Sequence, residues 1–534
     1  MPRADLVLAL LLAGVTTLSR IPHRARLLPT WDAVQFALAL RDYDVVKHQP
    51  HPPGYILYIA LARALEALTG DPAASLVGLA IAASGATVFL TYRLAWQVSG
   101  RATAVVAASA LAASPLFWFY GVVGLPYTTE AALVTAVACL VWPMGRGRPG
   151  FLVPSALALA LAGGVRQSIL PLLFPLWLAM AWLGLRRWRP IVGGAAVMGA
   201  VTAAWLGPMV WLTGGLGAYV TAAFDLYDST IRATTVAGAA GGWRVNVIAL
   251  AEAGLLGLGI WLPALAGLGL AADRVGRWFF GAWILPPLAV YAAIHFGQHG
   301  YLLAILPALY VLGARGLVRG AARLSAGPPV RWMLVSAVLA VTVLGHAAFF
   351  VAAPTVDVPG LLAARPDASG WKMALLARYR FRLWPNTAPG LRDHERVIEG
   401  YVDAIRRLFD PADTLLVTEL GNPRSYPWFR HVMYYLPEFA AYHLRVGHFS
   451  PGYLSSRHVS AVAALGGPEI LLPASARRLV WVVDHWSPSA PRPPGLRAVP
   501  LPRGRWLYVL ALERGAVDHA GYRLVPMTAV ARLR

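Results

Sequence analysis

The chain of 534 residues is too apolar for a soluble globular protein. Hydrophobic residues make up 58% and charged residues only 13% of it, about half the ~25% of soluble domains, and the mean hydropathy is +0.57. The formal net charge is +21, but most of the arginine excess lies in short loops between hydrophobic runs, where it faces anionic lipid. The composition indicates a polytopic membrane protein in a lipid bilayer and argues against nucleic acid as a partner.

Eleven hydrophobic runs predict about 11 transmembrane helices, since roughly 20 residues at 1.5 Å per residue cross a core of about 30 Å. The runs lie near residues 5–21, 75–98, 102–119, 127–143, 150–165, 167–185, 190–213, 246–271, 277–295, 301–320 and 331–353. With a cytoplasmic N-terminus, every inner loop contains arginine, as the positive-inside rule requires. No cleavage site stands out after the first run, which we expect to be retained as a signal anchor.

The first outer loop, residues 22–74, contains an unusual polar stretch from Thr30 to Tyr55, which reads TWDAVQFALALRDYDVVKHQPHPPGY. Thr30 is expected to cap a short helix that runs to about Asp42. The ionisable residues of the stretch include Asp32, Asp42, Asp44, Lys47, His48 and His51. The following stretch, 54–68, is apolar but short for a span, which predicts a re-entrant or interfacial helix. This concentration of reactive groups predicts that the loop forms the active site.

The composition changes after residue 353. The last 181 residues contain 14 of the 25 acids and no run long enough to span a membrane. Alternating patterns predict strands, and longer amphipathic stretches predict helices. The strand-like stretches are Thr414–Leu420, Arg478–Trp486 and Trp506–Leu512, and the helix-like ones are His394–Phe409 and Ser455–Leu465. We therefore expect a membrane domain over 1–353 and a soluble extracytoplasmic α/β domain over 354–534.

Several short motifs occur in a recognisable order along residues 1–353. Trp31 and Asp32 follow the first span, and His51-Pro52-Pro53-Gly54-Tyr55 opens the partly immersed helix. Supporting matches are Ser114-Pro115 closing a span, Pro126 to Glu130 opening the next, Arg166 at an outer span end, and His299 to Tyr310 near the end of the bundle. In these features the chain resembles the GT-C superfamily of membrane glycosyltransferases, including glycosyltransferase family 39 with its protein O-mannosyltransferases and aminoarabinose transferases.

The resemblance implies a GT-C-like α-helical membrane domain and a defined reaction. Such enzymes transfer a sugar from a polyprenyl-phosphate-linked donor, with inversion, at the outer membrane surface, and Asp32 is the implied general base for the acceptor. Many relatives have a second acid directly after that aspartate, where this chain has Ala33. A divalent metal is therefore not supported by an adjacent acidic pair, although Asp42 and Asp44 lie nearby. No cofactor is assigned, and the sugar and acceptor are left open.

Elementary chemistry indicates which other side chains the reaction would use. The departing phosphate gains charge in the transition state and needs cations or hydrogen-bond donors. Candidates for this role are Lys47, His51, Arg166, His299 and Tyr301. Candidates for contact with the sugar or acceptor are Asp44, Tyr55, Tyr127 and Glu130. One carboxylate base suffices for an inverting displacement, because phosphate already leaves readily.

Simpler interpretations remain open for each candidate. Asp32 and Glu130 could stabilise helix N-termini, and Arg166 and Lys47 could anchor span ends at the interface. His51 could serve only to shape the corner before two prolines, and Tyr127 could belong to an aromatic belt.

Two other classes of protein remain open as alternatives. A transporter or flippase would place its charged residues mid-span or in matching repeats. An O-antigen-ligase-like enzyme would be expected to use a large late outer loop.

Overall fold

The computed structural model describes residues 1–238, 241–270, 273–324, 327–353, 386–420, 428–445, 469–483, 486, 492–502, 505–512, 515–519 and 521–526. The helices up to residue 353 are α1 (Arg3–Arg20), α2 (Trp31–Arg41), α3 (Ile56–Thr69), α4 (Pro72–Ser99), α5 (Arg101–Ala113), α6 (Pro115–Tyr120), α7 (Tyr127–Gly145), α8 (Leu152–Val165), α9 (Ile169–Leu185), α10 (Trp188–Leu212), α11 (Leu216–Leu226), α12 (Trp243–Leu258), α13 (Arg274–Ala293), α14 (Leu306–Leu324) and α15 (Pro328–Ala352). Shorter 3₁₀ segments include Gly259–Leu270 and His299–Ala304.

Within the described ranges, six helical segments are long and apolar enough to cross a membrane. They are Arg3–His23, Pro72–Ser99, Tyr127–Gly145, Trp188–Leu212, Trp243–Ala264 and Pro328–Ala352. Four shorter apolar helices of 10 to 17 residues accompany them. The protein is thus an integral membrane protein with a mostly helical body, and the count of eleven spans stays a prediction.

The predicted span over 102–119 is two helices rather than one. The chain breaks at Ser114, and Pro115 begins α6, a position where its missing N–H costs no helical hydrogen bond. The Ser114 hydroxyl donates to the carbonyl of Gly257 at 2.6 Å, so the break is fixed by a contact with the end of α12. Hydropathy alone does not reveal such a break, because both pieces are apolar and buried.

Helix α4 lies at the centre of the bundle and packs against α1, α5 and α7. Helix α7 in turn packs against α8 and α9. The two short helices between α1 and α4 lie on this bundle: α3 packs against α4 and α8, and α2 packs against α3 and α4. Arg63 of α3 donates at 2.9 Å to each of the carbonyls of Ala39 and Leu40, which satisfies the end of α2. The polar stretch that contains α2 is therefore packed directly against the membrane helices.

The described part of the chain after residue 385 contains both strands and helices. They are α16 (Ala388–Leu408), α17 (Phe429–Tyr435), β1 (Thr414–Leu420), β2 (Ala440–Arg445), β3 (Glu469–Leu472), β4 (Arg478–Trp481), β5 (Arg497–Leu501), β6 (Arg505–Ala511), β7 (Val517–His519) and β8 (Tyr522–Pro526). One sheet has the order β2-β1-β4-β6-β5, with β2, β1 and β4 parallel and the other pairs antiparallel. The other has the order β3-β8-β7.

The sequence predicted this region in part. Strand β1 lies where expected and β6 is shifted by one residue, whereas β4 ends at Trp481 and is shorter than the predicted strand. Helix α16 begins at Ala388, six residues before the predicted start, because Thr387 caps it by accepting from the Gly390 N–H. Residues 354–385, which follow the predicted domain boundary, and the stretch 455–465 lie outside the described residues.

Helices α16 and α17 hold the segment that leads into α2. The Tyr435 hydroxyl accepts from the Leu28 N–H at 2.8 Å, and a ring nitrogen of His431 lies 3.1 Å from the Leu28 carbonyl. Glu395 of α16 accepts from the Leu27 N–H at 3.1 Å. The strand-containing region therefore lies at the same end of the bundle as α2. At the N-terminal end of α1, Asp5 pairs with Arg101 at 2.6 Å.

Candidate functional site

Asp32 lies in the first turn of α2 but does not cap that helix. The Thr30 hydroxyl accepts from the Ala33 N–H at 3.2 Å and so performs the capping role. The Asp32 carboxylate instead points to Gln298, whose Nε2 donates to Oδ2. Its other oxygen, Oδ1, lies 3.9 Å from Nδ1 of His51. The Asp32 side chain is 16% exposed, so it is largely buried but still in contact with solvent.

The environment of Asp32 raises the pKa of its carboxyl towards neutral pH. Burial raises the pKa of this carboxyl to about 7, because the charged form loses hydration. The hydrogen bond from Gln298 and the positive charge of Arg166 act in the opposite direction and limit the rise in pKa. A carboxylate with a pKa near 7 can accept a proton more readily than an ordinary surface aspartate. The arrangement is suited to general-base chemistry.

His51 and Tyr55 line the same site from the corner that precedes α3. His51 Nδ1 lies 2.8 Å from Gln35 Oε1, and its Nε2 lies 3.2 Å from the Tyr55 hydroxyl. Burial, with the charges of Arg166 and Arg430, lowers the pKa of His51 to about 3. The ring is therefore neutral, and these distances fit a tautomer in which Nδ1–H donates to Gln35 while Nε2 accepts from Tyr55. Because both ring nitrogens are engaged, a contact of His51 with a phosphate would require one of these partners to be exchanged, and it would be a hydrogen bond and not an ion pair.

The Pro53-Gly54 corner is fixed by contacts on both sides. Gly54 has a φ of +117°, and a Cβ there would lie 2.7 Å from the sulfur of Met209. The hydroxyl of Tyr43 donates to the Gly54 carbonyl at 2.7 Å, and that of Tyr219 donates to the Pro53 carbonyl at 3.1 Å. Only glycine suits this position, since it needs both a left-handed backbone and close packing.

Arg166 and Glu130 form a buried ion pair next to Asp32. Arg166 directly follows α8, and its Nη1 donates to Glu130 Oε2 at 2.6 Å. Their side chains are only 5% and 1% exposed. The guanidinium lies 3.9 Å from the ring centre of Tyr301 and 5.3 Å from that of Tyr127, within cation–π range. The structure thus brings three other predicted site residues, Glu130, Tyr127 and Tyr301, together around the Arg166 cation.

The segment from Phe296 to Tyr301 joins these two clusters. Its backbone is held where the Phe296 N–H donates to Asn246 Oδ1 at 3.1 Å. Gln298 then contacts Asp32, and Tyr301 contacts Arg166. Sequence reasoning singled out the motif that starts at His299 but missed Gln298 directly before it. The only signal in the sequence was its position beside that motif, since an isolated glutamine has no distinguishing pattern.

The other predicted phosphate ligands lie in separate clusters. His299 Nε2 is 3.3 Å from Glu252 Oε2, and its Nδ1 is 3.2 Å from Asn386 Nδ2. Lys47 Nζ lies 3.2 Å from an Asp42 oxygen and 3.3 Å from an Asp44 oxygen. One lysine, Lys47, thus engages both Asp42 and Asp44. The roles assigned to Lys47, His299 and Asp44 stay predictions.

The acids of the same loop bear on the question of a metal site. Asp42 and Asp44 are the nearby acids that the sequence offers, and both are ion-paired with Lys47. Among the residues that the structure describes, no group of three or more His, Cys, Asp or Glu side chains is placed to hold a metal ion. The arrangement around Asp32 consists instead of an amide, a neutral imidazole and a nearby guanidinium.

Comparison with known proteins gives matches in structure but not in sequence. No protein-family model and no curated protein matches the chain. The structure of ArnT from Cupriavidus metallidurans bound to undecaprenyl phosphate matches with a TM-score of 0.54 at 15% identity, over 96% of this chain and 98% of that one. ArnT in the apo state matches with 0.53 at 16% identity, over 95% and 97%. The arabinofuranosyltransferase AftD from Mycobacteria gives 0.49 at 16% identity, over 96% of this chain and 40% of its own.

Proposed function

We propose, from the premise that this chain has the fold of the GT-C membrane glycosyltransferases, that it is an inverting glycosyltransferase. It moves a sugar from a polyprenyl-phosphate-linked donor to an acceptor at the outer membrane–water interface. The fold itself is well supported, because the likeness to ArnT extends over nearly the whole of both chains. The reaction rests on the site residues described above and on the undecaprenyl phosphate that is bound in that ArnT structure.

In this proposal Asp32 is the general base. An acceptor hydroxyl or amine attacks the anomeric carbon, the bond from that carbon to the phosphate oxygen breaks, and Asp32 takes the acceptor proton. Its enclosed carboxylate, with a pKa raised to about 7, supports this role. No second carboxylic acid is needed to protonate the leaving group, since the phosphate leaves as an anion.

Arg166 is proposed to bind the departing phosphate. Glu130 neutralises its charge in this structure but occupies one of the guanidinium's five N–H donors in the described contact. The remaining donors and the Tyr301 hydroxyl can face the phosphate, while the ion pair keeps the guanidinium from moving away. Lys47, His51 and His299 are proposed as further phosphate contacts. A buried, oriented donor set is worth more than a solvated one, because it does not reorganise during the reaction.

The sugar and acceptor are proposed to contact Asp44, Tyr55, Tyr127 and Glu130. Of these, Glu130 has one oxygen, Oε1, that is buried and finds no hydrogen-bond partner among the described residues. A buried acceptor without a donor is costly, so a ligand hydroxyl at this position would be stabilised. The acceptor could be a protein side chain, a lipid or a glycan. The N-terminus is proposed to be cytoplasmic, with the strand-containing region outside.

The observation that chiefly supports the function is the enclosed Asp32 carboxylate within the field of the buried Arg166. The test uses the full-length protein in nanodiscs with a panel of polyprenyl-phosphate sugars that are radiolabelled in the sugar. We expect one donor to release its labelled sugar to a membrane extract, and the Asp32→Asn protein to fail under the same conditions. In proteoliposomes of the same protein, movement of the intact donor across the bilayer without sugar transfer would instead favour a flippase. Transfer that persists in Asp32→Asn would contradict the assigned base.

A further inference from the structure

Gln298 occupies a specific place beside the proposed base. Its Nε2 donates to Oδ2 of Asp32, although the two residues are 266 positions apart in the chain. Oδ1 of the same carboxylate accepts no hydrogen bond from the described residues, and Nδ1 of His51 lies 3.9 Å from it. One oxygen is therefore held by Gln298, while the other has no hydrogen-bond donor among the described residues.

The backbone around Gln298 is held on both sides. Two residues earlier, the Phe296 N–H donates to Asn246 Oδ1 at 3.1 Å, and Asn246 Nδ2 donates to the Thr234 carbonyl at 2.9 Å. Three residues later, the Tyr301 ring lies 3.9 Å from the Arg166 guanidinium. A glutamine side chain has three rotatable bonds, so a fixed backbone is needed for it to orient another group. This segment meets that requirement.

We propose that Gln298 is the positioning residue for Asp32, and that the Phe296–Tyr301 segment sets the spacing between the base and the Arg166 site. The inference rests on the proposed function. Gln298 does not touch the reacting atoms. It orients the Asp32 carboxylate so that Oδ1 faces the acceptor proton, and it does so on the same short segment that contacts Arg166 through Tyr301.

A neutral amide suits this position better than a charged side chain would. The ionisable groups that interact with Asp32 include the neutral His51 ring from the corner before α3, the Arg166 cation after α8, and the side chains of Tyr55 and Tyr127. A lysine or arginine in direct contact would lower the carboxyl pKa by about 1 to 3 units and make it a weaker base. An amide gives orientation with a smaller electrostatic effect.

The test compares Gln298→Leu and Gln298→Lys in the sugar-transfer assay across a range of pH. For Gln298→Leu we expect kcat to fall about tenfold to hundredfold from misplacement of the base, with the donor KM nearly unchanged. The acid limb of its kcat profile should move to higher pH, because a hydrogen bond to the charged form is lost. For Gln298→Lys the acid limb should move to lower pH. Opposite shifts are not expected from a purely structural role.

Gln97→Leu is the matched control, since Gln97 is a half-buried glutamine near the C-terminal end of α4. It should leave kcat and the pH profile unchanged. Parental kcat and an unmoved acid limb in Gln298→Leu would overturn the inference, as would shifts in the same direction for both Gln298 variants. If Gln298→Leu does not fold, the test rests on the direction in which Gln298→Lys moves the acid limb of the kcat profile. Asp32→Asn, measured in parallel, separates the two proposals: full activity there contradicts the base assignment itself.

Discussion

Replacing Asp32 with asparagine should remove activity and, at the same time, stabilise the protein at alkaline pH. The introduced amide would keep the size of the side chain and could still accept from Gln298 through its carbonyl oxygen. The helix cap is unaffected, because Thr30 supplies it. The substitution therefore removes the ability to take a proton and the buried charge, with little else changed.

The expected stability change follows from the carboxyl pKa. Its folded-state pKa is about 7 against the ordinary 3.8, a difference of roughly 3 units, and each unit corresponds to about 1.36 kcal/mol. Because the folded state holds the proton more tightly, the contribution of this group to stability is fully present below pH 3.8 and is lost as pH rises to about 7. At pH 8 the parent protein should thus be less stable than Asp32→Asn by up to about 4 kcal/mol, and the difference should shrink towards pH 5.

The measurement combines thermal unfolding in nanodiscs at pH 5 and pH 8 with single-turnover transfer from the labelled donor. We expect the melting temperature of Asp32→Asn to exceed that of the parent at pH 8 by more than at pH 5. The transfer rate should fall by about 10² to 10⁴, as for loss of a general base. In the parent protein, the rate should decline as pH falls below about 7, where Asp32 becomes protonated.

Asp42→Asn is the matched control, because Asp42 is an acid of the same loop that is 19% exposed and pairs with Lys47 at 3.2 Å. Loss of this ion pair should lower the stability or leave it unchanged, so that no gain in stability is expected at pH 8. A parental transfer rate in Asp32→Asn together with an inactive Asp42→Asn or Asp44→Asn would place the base further along the loop. A lower melting temperature of Asp32→Asn at pH 8 would refute the reasoning about burial.

Three other predictions concern the ion pair and the topology. Arg166→Ala should weaken binding of the labelled donor, and Arg166→Lys should restore it only partly because the planar fork is lost; equal donor affinity in both variants and the parent would return Arg166 to a structural role. Glu130→Gln should cost about 3 to 5 kcal/mol in thermal or denaturant unfolding, since it leaves the Arg166 charge buried without its partner, and an unchanged melting temperature would count against that pairing. Reporter fusions after Gly147 and after Asp518 should lie in opposite compartments, and a shared compartment would exclude the eleven-span topology.

Local sequence patterns determined the helical membrane body and several boundaries within it. The hydrophobic runs indicated its apolar helices because burial in lipid requires continuous apolar stretches, although the run over 102–119 is two helices. The cap at Thr30 placed the start of α2, and the alternation in Thr414–Leu420 placed β1. The short motif around Trp31-Asp32 also led to the GT-C resemblance, and the fold of the chain is similar to that of ArnT at 15% identity. These features depend only on neighbouring residues, so the sequence alone contained them.

Only the tertiary structure decided which polar groups meet. The sequence predicted the same role, phosphate binding, for Lys47 and Arg166. In the structure Lys47 pairs with two acids of its own loop, whereas Arg166 pairs with Glu130 of another helix. Gln298 has no sequence signature and reaches Asp32 across 266 residues. The burial that raises the pKa of Asp32 also results from packing of distant segments. Desolvation and hydrogen bonding depend on distances in space, and local periodicity does not encode which distant segments will approach each other.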